Sequence, residues 1–247
     1  LPGAREPVPR PPAGRKPLPA PPPPGPRAKI ALIIDDVGYS REDIERFTRL
    51  GFPLTFSVLP FTGYSGEQAG LLHDLGYELM LHIPMEPESY PLDDPGPHAL
   101  FVGDTREVVE RKLSLMLRQL PQVQGANNHM GSLATADCRL MSWTMAFLLE
   151  RDLYFVDSKT TSGSCALSEA RLRQLPAGSR DVFLDNRDDY QYITRQFEEL
   201  KAKALARGTA IGIGHAHSRN LPLVLEQQLP RLEREGIILV YASEAVR

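Results

Sequence analysis

The residues of this chain best able to do chemistry fall at the ends of its apolar runs. Asp35 and Asp36 follow Ile30–Ile34, His82 lies within Leu79–Ile83, and Asn127, Asn128 and His129 close a run that begins at Val123. Further along, Asp157 follows Leu153–Val156, Asp185 and Asn186 follow Asp181–Leu184, and His215 and His217 follow Thr209–Ile213. Carboxylates, imidazoles and amides gathered round one opening suit hydrolytic metal chemistry. Asp and His together favour zinc or a similar divalent ion, and a catalytic zinc takes three protein ligands with one position left for water. Asp36, His82 and His129 make up that number. No local pattern such as HExxH accompanies them, so the assignment rests on their shared place after strands. Taken singly, His82 and His129 also read as core or loop histidines, and Asp35 and Asp36 as a turn or helix cap. His73, in a helical stretch, and His98, in a proline-rich loop, read as bystanders.

These groups can meet only if the runs are parallel strands that end on one face. Ile30–Ile34 has no polar alternation, as expected of a strand buried on both sides, and Gly38 allows a sharp exit. Ser40 with Asp43 opens a helix carrying Ile44, Phe47 and Leu50, and Gly51 ends it. Leu54–Leu59 is a second strand, followed by a helix from about Ser65, boxed by Gln68, to Gly76. After the third strand, Leu79–Ile83, five prolines exclude regular structure from Pro84 to Gly103. That loop is long enough to be functional. Asp104 and Glu107 then open a helix with Val109, Leu113, Met116 and Leu120 on one face. Val123–Asn128 is a fourth strand, and Asp137 starts a helix bearing Leu140, Trp143, Phe147 and Leu148. Leu153–Val156 is a fifth strand, Leu167–Leu175 a short helix and Asp181–Leu184 a sixth strand. Tyr192–Arg207 is a long helix with Ile193, Phe197, Leu200 and Ala204 inward, and Thr209–Ile213 a seventh strand. Asn220 caps a last helix that Pro230 divides, and Ile237–Tyr241 closes the set as an eighth strand. Seven or eight such units with short connections predict a (β/α) barrel rather than an open doubly wound sheet. No GxGxxG or phosphate-binding loop is present.

With 247 residues, 42% of them hydrophobic, the chain can bury a sizeable core, and a net charge of −3 gives no electrostatic case for nucleic acid. The first 28 residues hold 12 of the 23 prolines. Such a segment favours extended conformations and reads as a disordered linker or stalk at 1–28 before a single domain at 29–247, with an SH3-type ligand as the lesser alternative. A chain that starts at Leu1 points to an upstream segment removed or left out, and a stalk of this kind is expected after a cleaved signal or a membrane anchor. No apolar run approaches the ~20 residues of a membrane span. Cys138 and Cys165 are expected to be ordinary, partly buried thiols that leave the compartment open.

The stretches IALIIDDVGY, LMLHIPMEP, GANNHMGS, YFVDSKT, RDVFLDN and AIGIGHAH resemble those of the divergent polysaccharide deacetylase family, over about residues 29 to 245. The family is a branch of the carbohydrate esterase superfamily with an incomplete, seven-stranded (β/α) barrel. The resemblance implies a metal-dependent deacetylase, most naturally with zinc, acting on an acetylated carbohydrate in the periplasm or elsewhere outside the cytoplasm. It makes Asp35 the catalytic base and Asp36 a metal ligand. The superfamily takes two metal histidines from one H-x-x-x-H segment, whereas here Glu86 stands four residues after His82. The second imidazole is therefore expected from His129. His215 matches the general acid, with His217 as a second candidate. Asn127 and Asn128 are candidates to stabilise an oxyanion, and Asp157 and Asp185 to orient imidazoles. Two rival readings keep the fold. One is a non-catalytic envelope protein that binds glycan or a protein partner, and the other a metal-dependent amidase or phosphoesterase.

Overall fold

A computed structural model describes residues 28–247. The stalk expected at the N-terminus lies outside these residues, and the first strand begins at Ala28. The elements follow in the order β1 (Ala28–Val37), α1 (Arg41–Thr48), β2 (Thr55–Val58), α2 (Ser65–Asp74), β3 (Glu78–Met85), α3 (Arg106–Gln119) and β4 (Gly125–Met130). Then come α4 (Cys138–Leu149), β5 (Tyr154–Asp157), α5 (Ala166–Leu172), β6 (Ala177–Ser179), β7 (Val182–Phe183), α6 (Tyr190–Arg207), β8 (Thr209–His215), α7 (Leu221–Gln228) and β9 (Ile237–Val240). Eight strands follow one another in the order β6-β5-β4-β3-β2-β1-β8-β7, and β9 pairs with β1. Every pairing is parallel. Because β6 and β7 do not pair, the curled sheet is an incomplete barrel, as the family resemblance implies.

Two apolar layers hold it. The outer layer packs helices on the sheet, with Val109, Leu113 and Met116 of α3, Leu140 and Phe147 of α4, and Ile193, Phe197 and Leu200 of α6 all buried there. The inner layer, Ala31, Ile33, Met80, Tyr154, Val156, Ile211, Ile213 and Val240, fills the barrel. Residues that face helices on one side and barrel on the other leave β1 without polar alternation until Asp35, which accounts for the reading of that run.

Several local expectations are corrected. Ser40 precedes α1 without a side-chain cap bond, and Gln68 donates instead to the Ser40 carbonyl at 2.6 Å, tying α2 to the β1–α1 turn. The strand expected at Asp181–Leu184 is the two-residue β7, and Ala177–Ser179 forms a strand of its own. Asn220 stands at the N-cap of α7 without a side-chain cap bond; its amide donates instead to Asp188 O at 2.9 Å, and the Ser218 hydroxyl accepts from Leu221 N. Pro230 divides the last helix as expected, since α7 gives way to a 3-10 segment at Leu229–Glu235. The cysteines are not thiols: Cys138 and Cys165 form a disulfide with their Cα atoms 5.1 Å apart. The loops after β4 and β5 lie side by side, with Cys165 N donating to Thr135 O, and this brings the starts of α4 and α5 within bonding distance. No helix among the described residues is long and apolar enough to cross a membrane.

Candidate active site

Strand alternation builds the mouth of the barrel. Every second side chain of a strand shares a face, so counting on by two from the inner layer leads from Ile33 to Asp35, from Met80 to His82 and from Ile213 to His215. Asn127 stands in register with His82 on one side and Val156 on the other, and Ser57 with Met80. Asp36 breaks this rule, because alternation would turn it toward the helices. The pairing of β1 with β2 slips between Ile34 and Val37, and Asp36 has φ of +61°. An irregularity of this kind re-aims a side chain, and here it sets two consecutive carboxylates at one opening. Left-handed backbone at a non-glycine residue costs on the order of 1–2 kcal/mol, and such conformations cluster at functional sites.

Asp36 Oδ1 is the centre of the cluster. It lies 3.0 Å from His129 Nδ1 and 3.2 Å from His82 Nε2, and the ligand atoms of the three residues all fall within 4.8 Å of one another. This oxygen is buried yet forms no hydrogen bond of acceptable geometry. Burial opposes its charge, but the facing imidazoles of His129 and His82 outweigh burial and hold its pKa below the usual carboxylate range.

Asn127 orients His82. Its Nδ2 donates to Asp35 Oδ1 at 2.8 Å, which fixes the amide, so its Oδ1 accepts from His82 Nδ1 at 2.7 Å. The same oxygen accepts from the Ser57 hydroxyl. With Nδ1 carrying the proton, neutral His82 turns the lone pair of Nε2 toward Asp36 and His129. Burial lowers the His82 pKa, but Asp35 and Asp36 overcome it and raise the value. Positive charge is thus drawn to the place between carboxylate and imidazole. A buried, unbonded carboxylate oxygen, two imidazole nitrogens and a committed far nitrogen suit a divalent ion.

Asp35 is 3% exposed, with its Oδ2 3.7 Å from His82 Nε2. Burial raises its pKa, partly offset by His82 and His215. Asp185 accepts from the backbone N–H of His215 at 2.8 Å and from its Nδ1 at 3.0 Å, so one carboxylate fixes both chain and ring. Burial would lower the His215 pKa, but Asp185 wins and lifts it to about 9.

The exposed His217 ring stacks on His215 with centroids 5.0 Å apart, and its Nδ1 is 3.9 Å from Asp36 Oδ2. The fold thus gathers Asp35, Asp36, His82, Asn127 and His129, with the His215–Asp185 pair and His217 alongside. Two candidates turn away from the imidazoles. Asn128 bonds Met130 O and Ser158 N, and Asp157 accepts from Lys159 N. The His98 ring instead packs at a tilt against Phe61, with centroids 4.7 Å apart. Sequence reasoning missed Ser57 and Arg180. Arg180 donates to Ser158 O and Lys159 O and lies over the Phe183 ring. Hydroxyls at Thr55 and Ser57, two apart in an otherwise apolar strand, were the signal for an inward polar face.

A curled parallel barrel of this kind is the fold of the polysaccharide deacetylases. Residues 32–246 match the model of the divergent polysaccharide deacetylases, and the chain belongs to that family. It is 30% identical over 199 residues to an uncharacterized protein of Haemophilus influenzae, covering 80% of this chain and 70% of that one. To YibQ of Escherichia coli K12 it is 32% identical over 216 residues, covering 87% and 66%. The chain therefore spans about two thirds of the length of these relatives. Among solved structures, an uncharacterized protein from Agrobacterium tumefaciens C58 superposes with a TM-score of 0.82 at 24% identity, over 89% of both chains. The T48 deacetylase with substrate gives 0.55 at 17%, over 89% and 90%. A CE4 family pseudoenzyme from Bacillus anthracis gives 0.55 at 12%, over 89% and 65%. At these identities the structures speak for the fold alone.

Proposed function

We propose that this protein is a metal-dependent hydrolase that removes acetyl groups from a carbohydrate of the cell envelope. The observation that carries the reading is the buried Asp36 Oδ1, without a hydrogen bond and flanked by His82 Nε2 and His129 Nδ1. A divalent ion, zinc by this ligand set, would be held by those three residues and would supply a polarised carbonyl and a more acidic water. Asp35 takes up the proton on Oδ2, the oxygen that Asn127 leaves free. His215, kept protonated at neutral pH by Asp185, delivers a proton from Nε2 to the leaving nitrogen or oxygen. Asn127 positions His82 and Asp35 and Asn128 ties Met130 O to Ser158 N; each amide commits one of its two N–H groups to these bonds, and the second is the donor available to an oxyanion. His217 stands at the entrance as a contact for substrate.

The disulfide supports a place outside the cytoplasm, where such bonds persist. The residues before Ala28 then serve as a stalk for the deacetylase domain that begins with β1. Elemental analysis tests the centre: wild type should carry one divalent ion per chain, and Asp36→Ala should lose both the ion and acetate release while staying folded. Undiminished metal in that variant would refute the assignment. Glycan binding without turnover would instead establish a non-catalytic envelope protein, and release of a group other than acetate an amidase or phosphoesterase.

A further inference from the structure

We propose that the open seam of the barrel holds a second site, a cavity lined by arginines that takes a phosphate group, at the end of the barrel away from Asp36. The inference does not depend on the deacetylase reading.

Beside the gap between β6 and β7 lies a cavity of about 280 Å³. Three arginines from three separate segments line it: Arg171 of α5, Arg207 at the end of α6, and Arg247 of the stretch after β9. The backbone of Arg247 bonds that of Ala177 in both directions, at 2.9 and 3.3 Å, which holds this stretch against β6. The floor is closed, because Gly178 of β6 lies so near β8 that a Cβ there would meet Ile211 Cδ1 at 2.9 Å. Thr209, the first residue of β8, also lines the cavity. His215 follows six residues later on the same strand, so at ~3.3 Å per residue the cavity lies about 20 Å from the mouth of the barrel.

The charges in this cavity do not balance. Its single carboxylate, Asp181, is already engaged: Oδ1 accepts from Arg207 Nη1 at 3.0 Å and Oδ2 from the backbone N–H of Ile211 at 2.9 Å. Arg171 and Arg247 have no side-chain hydrogen bond or ion pair among the described residues. Three positive charges against one negative leave two, which a phosphate monoester, carrying about −1.5 to −2 at neutral pH, would neutralise and a lone carboxylate would not. A guanidinium keeps its charge and presents a planar fork of donors that fits phosphate oxygens in pairs. The hydroxyls of Ser179 and Thr209 add two further donors to the wall. Like charges drawn from three segments repel until an anion enters, so the bound group would also fasten the seam.

The test titrates inorganic phosphate and glycerol 1-phosphate calorimetrically into the full chain at fixed ionic strength, for wild type, Arg171→Ala, Arg247→Ala and Asp36→Ala. Wild type should bind one phosphate group per chain, and its melting temperature should rise with phosphate but not with chloride at equal ionic strength. Arg171→Ala and Arg247→Ala should each weaken the affinity about tenfold, whereas Asp36→Ala, which would abolish binding to a metal at the mouth, should leave it unchanged. Binding of both compounds would support a phosphorylated molecule as the ligand, and binding of the inorganic ion alone would support the site with the free ion as its occupant. Wild type that binds neither compound would overturn the site, as would binding that survives both arginine variants or disappears in Asp36→Ala.

Discussion

The side-chain carbonyl of Asn127 faces Nδ1 of His82 at 2.7 Å, and this contact decides which nitrogen of the imidazole is free for a metal. Partners of that type are worth about 10–100-fold in metal affinity. Asn127→Ala should weaken metal binding by that factor, measured by competition with a chromophoric chelator. Ser57→Ala, which removes only a second donor to the same oxygen, should have the smaller effect.

The acid–base pair predicts a pH profile. Asp35 must be ionised and its pKa is raised, so the acid limb should lie above the ordinary carboxylate range. His215 must be protonated, so the rate should fall as pH rises through about 9. Asp185→Asn removes the carboxylate that lifts this imidazole and should move the basic limb down toward 6.5. An unmoved limb would remove His215 from the role of acid.

The same pair affects stability. A histidine raised from 6.5 to about 9 on folding stabilises the native state fully below about pH 6.5 and ceases to do so as pH rises through 9. Thermal melts of wild type and Asp185→Asn should therefore differ most in the acidic part of this window and converge at its alkaline end.

The disulfide should matter to the fold. Cys138 and Cys165 close a separation of 27 residues, and a bond of this kind contributes about 2–4 kcal/mol. Cys138→Ser should lower the melting temperature of the non-reduced protein, and added reductant should affect wild type alone.

Much of this molecule was legible in its sequence, for a definite reason. Strands buried on both faces read as short apolar runs, and in a parallel barrel the polar residue that ends such a run lies at the mouth. Asp35, His82, His129 and His215 were therefore visible by position. What stayed hidden depends on contacts between distant segments. The engagement of Asn127 joins Asp35, 92 residues away, to His82, 45 away, and no local pattern marks it. The cysteine pairing needs the loops after β4 and β5 to run side by side. Asp36 reaches the mouth through the slip in register between Ile34 and Val37, although alternation alone would have sent it to the helices. Ser40 and Asn220 make no cap bond: the Ser40 carbonyl is tied to Gln68 of α2, and the Asn220 amide donates to Asp188 O, 32 residues away, contacts that the local sequence does not mark.

The most direct test of the central claim is acetate release from acetylated chitin and peptidoglycan fragments by zinc-loaded wild type, Asp35→Asn and His215→Ala, with metal content measured on the same samples. The account predicts turnover by wild type and a loss of about 10²–10⁴-fold in each variant, with one ion per chain retained in all three. Metal-loaded wild type that releases no acetate from any fragment, while binding one of them as tightly as both variants do, would contradict it.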